Sequence, residues 1–137
     1  MKVFYDTDIT AENGRSAKPT LSDEAAKIRV TPPGVEGPGI TPEELFAVGY
    51  ASCFEHSLKM VSGHKEYPLN SIEVRAEGNV IEKAEGGYVL DIDLHLEFSG
   101  LTREQADDVI QTAHSLCPYS NAICGNVDLR VYTKLNS

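Results

Sequence analysis

Thr41-Pro42-Glu43-Glu44-Leu45-Phe46-Ala47-Val48-Gly49-Tyr50-Ala51-Ser52-Cys53-Phe54 joins a full helix-start signal to a cysteine set among apolar residues. Thr41 is a hydroxyl N-cap, Pro42 stands at the first helical position where its missing N–H costs nothing, and Glu44 completes a capping box. Both glutamates lie at the positive end of the helix dipole. Capping accounts for Glu44 and leaves Glu43 open to another role. From Leu45 to Val61 the pattern predicts a helix, closed by Ser62-Gly63. Apolar or small residues fill it as far as Phe54 without a polar stripe, so burial on most sides is expected.

Outward from this helix the chain reads as strands, helix, hairpin, helix and strand, which is an α+β order. Strands are predicted over 2–7 and 25–30, separated by a turn at Asn13-Gly14-Arg15. Residues 31–40 hold three prolines and three glycines and form a loop. Residues 72–82 and 88–98 predict a hairpin across Lys83-Ala84-Glu85-Gly86-Gly87. In its second arm Tyr88, Leu90, Ile92, Leu94, Leu96 and Phe98 alternate with Val89, Asp91, Asp93, His95 and Glu97, one face core and one face wet. His95 accordingly reads as a solvated histidine. Thr102-Arg103-Glu104-Gln105 is a second capping box, and its helix should end near Cys117 before Pro118. A last strand alternates through Val127, Leu129 and Val131.

A chain of 137 residues is expected to form one domain, residues 1–137, with a hydrophobic core of its own. The net charge of −9, from 21 acidic and 12 basic residues without a basic cluster, disfavours nucleic acid. No apolar run suits a membrane span and Met1-Lys2-Val3-Phe4-Tyr5-Asp6 lacks a signal-peptide pattern, so a cytoplasmic location is expected. Three cysteines without a secretory signal argue against a disulfide framework and leave catalysis, redox chemistry, metal binding or inert burial.

Cys53 by itself reads as core packing, since free cysteine is commonly buried. Cys117 stands at a helix end, where a thiol can be accessible. If the two meet, one thiol can attack an oxidant and the other resolve the sulfenic acid. Only a thiolate attacks, so a nearby cation is needed. Arg15 is a candidate, held by a carboxylate such as Glu43, against the plainer reading of a solvated loop arginine. A rival pattern is Cys53-x-x-His56 with His114-x-x-Cys117, whose spacings suit a Cys2His2 zinc shell.

The opening stretch, together with Ala113-His114-Ser115-Leu116-Cys117-Pro118-Tyr119-Ser120-Asn121-Ala122-Ile123, resembles the paired signatures of the organic hydroperoxide resistance (Ohr) proteins of the Ohr/OsmC superfamily. Tyr119 favours the Ohr branch. The resemblance implies an OsmC-like fold, with antiparallel sheets around a long buried central helix, in an intertwined homodimer with active sites at the interface. It implies a Cys-based peroxidase acting on organic hydroperoxides, with Cys53 peroxidatic, Cys117 resolving, and Glu43 orienting Arg15. No metal or bound cofactor is implied; the reductant is an external dithiol such as a lipoylated protein. Phe46, Tyr50 and Phe54 are then candidates to line an apolar substrate pocket. Two features depart from the pattern: Cys124 stands where an arginine is expected, and Glu55 and His56 add polarity after Cys53. The alternative is a non-catalytic OsmC-like binding protein or a zinc-stabilised domain.

Overall fold

The computed structural model describes residues 40–136 and two short strands, β1 (Ile9–Thr10) and β2 (Thr20–Leu21), which pair antiparallel. The strands expected over 2–7 and 25–30, the turn carrying Arg15 and nearly all of the 31–40 loop lie outside the described residues. Two compact units divide the chain between Leu45 and Phe46. Helix α1 (Pro42–His64) starts in the first, where Thr41 Oγ1 accepts the Glu44 N–H at 3.1 Å.

The second unit holds the rest of α1, then β3 (Ser71–Glu82), β4 (Tyr88–Ser99), α2 (Arg103–Leu116), α3 (Pro118–Ile123) and β5 (Asp128–Asn136). The hairpin pairs from Ser71↔Ser99 to Glu82↔Tyr88, as the alternation predicts. Gly86 and Gly87 turn it with φ of +95° and +86°, a backbone region that disfavours side chains. The sheet is mixed, where wholly antiparallel pairing was expected, because β5 runs parallel to β4 from Asp91↔Asp128 to Ser99↔Asn136. The reason is the crossover: α2 and α3 carry the chain back to the start of β4 before it re-enters the sheet.

The core lies between one face of this sheet and the helices. Ile92, Leu94, Leu96 and Phe98 of β4 cluster with Tyr50, Phe54, Leu58 and Val61 of α1 and with Ala106, Val109 and Ala113 of α2. Each buried aliphatic or aromatic side chain in such a cluster contributes about 1.5–3 kcal/mol relative to exposure. The buried residues of α1 recur every three or four positions along one stripe, through Ala47, Tyr50, Phe54, Ser57, Leu58, Val61 and Ser62. Burial on most sides is therefore met on one face only: Val48 is 58% exposed, His56 is exposed, and Glu55 pairs with Lys59 at 2.6 Å along the helix. A run of apolar letters did not reveal which of them faced the sheet.

Helix α2 opens with both bonds of its capping box, Gln105 N–H to Thr102 Oγ1 at 3.2 Å and Thr102 N–H to Gln105 Oε1 at 3.0 Å. Its side chains tie back to the end of α1, where Lys65 Nζ and the Tyr67 hydroxyl both donate to Asp108 Oδ2, at 2.6 and 2.7 Å. On the outer sheet face Arg130 of β5 grips Asp91 of β4 by two bonds, at 3.0 and 2.5 Å, and reaches Asp93 at 2.6 Å.

Two outcomes follow. Gly100, at φ +93°, leaves no room for a side chain, since a Cβ there would lie 2.2 Å from the Pro68 carbonyl oxygen; Gly100→Ala should lose roughly 2–4 kcal/mol in urea unfolding. Hydrogen bonding from Arg130 holds the Asp91 carboxyl below its ordinary value. A depressed carboxyl contributes stability that is present above the ordinary carboxylate value and lost as pH falls from there through its lower folded-state value. Arg130→Gln should thus lower the melting temperature at neutral pH and make the decline in acid shallower, measured by thermal melts between pH 7 and 3.

Candidate thiol site

Cys53 lies in the middle of α1, one helical turn after Tyr50 and one turn before Ser57, whose hydroxyl donates to the Cys53 carbonyl at 3.1 Å. Cys117 is the junction of the other two helices. Its N–H closes α2 on the Ala113 carbonyl at 2.8 Å, and its carbonyl accepts the Asn121 N–H at 3.0 Å to begin α3. Helix α2 ends before Cys117 as expected, and Pro118 at once occupies the first turn of α3. The chain thereby folds inward, and Cys117 is fully buried, contrary to the expectation of an accessible thiol. Cys53 is the more accessible of the two. Their sulfur atoms lie 3.5 Å apart, and both are free thiols.

Burial pushes the Cys53 thiol above its ordinary pKa, and Cys117 adds to the rise both as a hydrogen-bonding neighbour and as a charge. The backbone N–H of Tyr119, the first amide after Pro118, draws it back. Among the described residues these are the influences that set it, and none is a cation.

Aromatic side chains pack in the same core as the pair. Phe46 meets Tyr50 edge-on at 6.1 Å between ring centroids, Tyr50 meets Phe54 in the same way at 6.1 Å, and Tyr119 leans on Phe46 at 5.7 Å and Tyr50 at 5.9 Å. Gly49 makes this possible: a Cβ there would lie 2.6 Å from the Tyr119 hydroxyl. Tyr50 and Phe54 are fully buried, whereas Phe46 is partly exposed at the rim.

Behind the rings runs a polar chain. The Tyr50 hydroxyl is 2.7 Å from Ser120 Oγ, which is 2.9 Å from His114 Nδ1, and the His114 ring packs on Phe54 at 4.5 Å. Burial raises the Tyr50 hydroxyl pKa and lowers that of His114, so both stay neutral. Ser120 Oγ is the shared member of both bonds, and the direction of the protons along the chain follows the His114 tautomer.

Of the residues singled out in the sequence, Cys53, Cys117, Phe46, Tyr50 and Phe54 therefore come together. Arg15 lies outside the described residues, and Glu43 stands in the first turn of α1 in the other unit. The Cys2His2 pattern is not assembled: His56 is exposed and the His114 Nδ1 is engaged by Ser120. Among the described residues, the one trio of metal-binding side chains with donor atoms mutually within 4.8 Å is Glu77, Asp93 and His95 on the outer sheet face. Its carboxylates already pair with Arg75 and Arg130. His95 stacks on Tyr132 at 5.0 Å. Cys124 caps the far end of α3, is exposed, and borders a cavity of about 570 Å³ with His114, Ser120 and Asn121. Tyr119 and Ser120 were missed as site residues. Their sequence signal was the motif stretch after Cys117, in which Tyr119 served only to mark the Ohr branch.

The sequence and the fold have clear counterparts. Residues 35–131 match the family model of OsmC-like proteins. The chain is 35% identical over 133 residues to the Organic hydroperoxide resistance protein of Xanthomonas axonopodis pv. citri, covering 93% of each. It is 31% identical over 135 residues to OhrB of Bacillus subtilis, covering 96% of this chain and 98% of that one. An organic hydroperoxide resistance protein from Legionella pneumophila superposes with a TM-score of 0.91 at 34% identity, over 97% of this chain and 99% of that one. With its family model matched over most of its length and relatives of this closeness covered almost end to end, the chain belongs to the OsmC-like family and has its fold.

Proposed function

We propose that this protein confers resistance to organic hydroperoxides by acting as a thiol-dependent peroxidase. The observation that carries the reading is the contact of Cys53 with Cys117 at 3.5 Å beside a cluster of aromatic side chains. The relatives named for organic hydroperoxide resistance support the substrate class. The Cys53 thiolate attacks the outer peroxide oxygen, the O–O bond breaks, and the alkoxide leaves as the alcohol after taking a proton. Cys53 is left as a sulfenic acid, oxidised by two electrons. The Cys117 thiol then condenses with it, forming the S–S bond and releasing water. An external dithiol, such as a lipoylated protein, supplies two electrons and two protons to restore both thiols.

The difference in burial supports these roles, because the attacking thiol needs access and the resolving thiol needs only its partner. An S–S bond of about 2.05 Å requires the sulfurs to close by roughly 1.5 Å, which a small shift of the Cys117 junction supplies. Phe46, Tyr50, Phe54 and Tyr119 favour an alkyl or lipid hydroperoxide over a small polar one. The upward push on Cys53 calls for a cation, and Arg15, oriented by Glu43, fills that role. No helix among the described residues is long and apolar enough to cross a membrane; we place the protein in the cytoplasm. We also read it as a homodimer, to which exposed Val48, Ile81 and Tyr88 offer apolar surface.

Cumene hydroperoxide added to the reduced protein should consume two of the three thiols per chain, leaving Cys124 and a disulfide that peptide mapping assigns to Cys53 and Cys117. Cys53→Ser should reduce turnover to the uncatalysed background, and Cys117→Ser should consume one equivalent of peroxide and stop. Sustained turnover by the Cys53 variant would end this assignment. For Arg15, the sign is set by the thiolate. Without the guanidinium the Cys53 pKa rises, less thiolate exists at neutral pH, and the rate falls about tenfold for each unit of rise. Stopped-flow oxidation of Arg15→Met should therefore show a rate–pH profile displaced to higher pH and converging on wild type in alkali; an unmoved profile would remove Arg15 from the mechanism.

A further inference from the structure

The hydrogen bonds of the chain Tyr50–Ser120–His114 have no part in the peroxide chemistry just described, where only the Tyr50 ring was used, yet they connect all three helices that carry or flank the thiols. Tyr50 stands one turn before Cys53 on α1. His114 stands three residues before Cys117 on α2, and Ser120 three residues after it on α3. The bonds of 2.7 and 2.9 Å therefore tie the helix bearing Cys53 to both sides of the junction bearing Cys117. We propose that Tyr50, Ser120 and His114 are positioning residues that hold Cys117 in register with Cys53 for disulfide formation. This deepens the peroxidase reading and rests on the same two thiols.

Three observations support it. Ser120 is buried and its hydroxyl serves both neighbours, so loss of that one group breaks both links at once. Tyr50 is fully buried, and a buried hydroxyl left without a partner is costly, which makes the connection persistent. Beside these bonds, the side chains of the two thiol-bearing segments also meet ring against ring, Tyr50 on Tyr119 and Phe54 on His114. Ring contacts tolerate sliding, whereas a hydrogen bond of this length fixes distance and direction. Sulfur-on-sulfur condensation is sensitive to such placement, because the entering thiol must approach along the bond being broken.

The strap is separable from the peroxide step. Tyr50→Phe keeps the ring and removes only the oxygen, and Ser120→Ala removes the shared hydroxyl. In Ser120→Ala, Cys53 should form its sulfenic acid at the wild-type rate, and in both variants condensation with Cys117 should slow about tenfold, seen as sulfenic acid trapped by dimedone. Equilibration in a dithiothreitol redox buffer, with no peroxide present, should show the disulfide about tenfold less favoured, a potential about 30 mV less negative. The double variant should match Ser120→Ala, since both substitutions cut one chain. Ser71→Ala, which removes a hydrogen bond to Ser99 on the sheet, should leave rates and potential unchanged. Unaltered condensation and potential in Tyr50→Phe and Ser120→Ala would overturn the proposal, as would equal slowing of both steps in Ser120→Ala or the same shift in Ser71→Ala. A wild-type protein that forms the Cys53–Cys117 disulfide in redox buffer but not with peroxide would instead overturn the peroxidase reading and leave the strap to be judged on its potential.

Discussion

The burial of one face of β4 is the constraint on which the second unit depends. Ile92, Leu94, Leu96 and Phe98 need cover, and the two long helices supply it with residues at helical spacing. Because β4 is also the middle strand, with β3 on one edge and β5 on the other, a slip of one residue would turn its carboxylates inward and lose both partners. The Arg130 bonds to Asp91 and Asp93 reinforce that register from the wet face, where Asp91 is only 8% exposed and needs its partner.

Fixing β4 fixes the helices, and fixing the helices brings the thiols together. The stripe of α1 that packs on the sheet passes Tyr50 and Phe54, leaving Cys53 between them at the edge of the buried surface. The crossover that makes β5 parallel is the same segment that carries Cys117, bent inward at the α2–α3 junction. A thiol at the rim facing a thiol in the interior is thus a product of packing, and the proposed division of labour between them rests on that difference. The cost is an environment that resists ionisation of Cys53, since burial and a second sulfur both disfavour the thiolate. An amide at the start of α3 offsets part of this.

The aromatic cluster and the polar strap behind it divide two tasks. Phe46, Tyr50, Phe54 and Tyr119 exclude water with surfaces that can slide, and the bonds through Ser120 give them direction. Gly49 leaves room for the Tyr119 ring, which a Cβ there would meet at its hydroxyl.

The sequence by itself determined the elements whose signals are local. The alternation of residues 88–98, the glycine turn at Gly86-Gly87 and the Thr102–Gln105 capping box depend on near neighbours, and each is present as read. The two motifs also identified Cys53 and Cys117 as a pair, because both stand in stretches that resemble one family. Only the tertiary structure decided which side of α1 is buried, that β5 joins the sheet in parallel, that Cys117 lies inside rather than at an accessible helix end, and that Tyr119, Ser120 and His114 surround the pair. The physical reason is common to all four. A residue's burial and partners are set by what packs against it from a distant part of the chain, and no local pattern of letters specifies that contact.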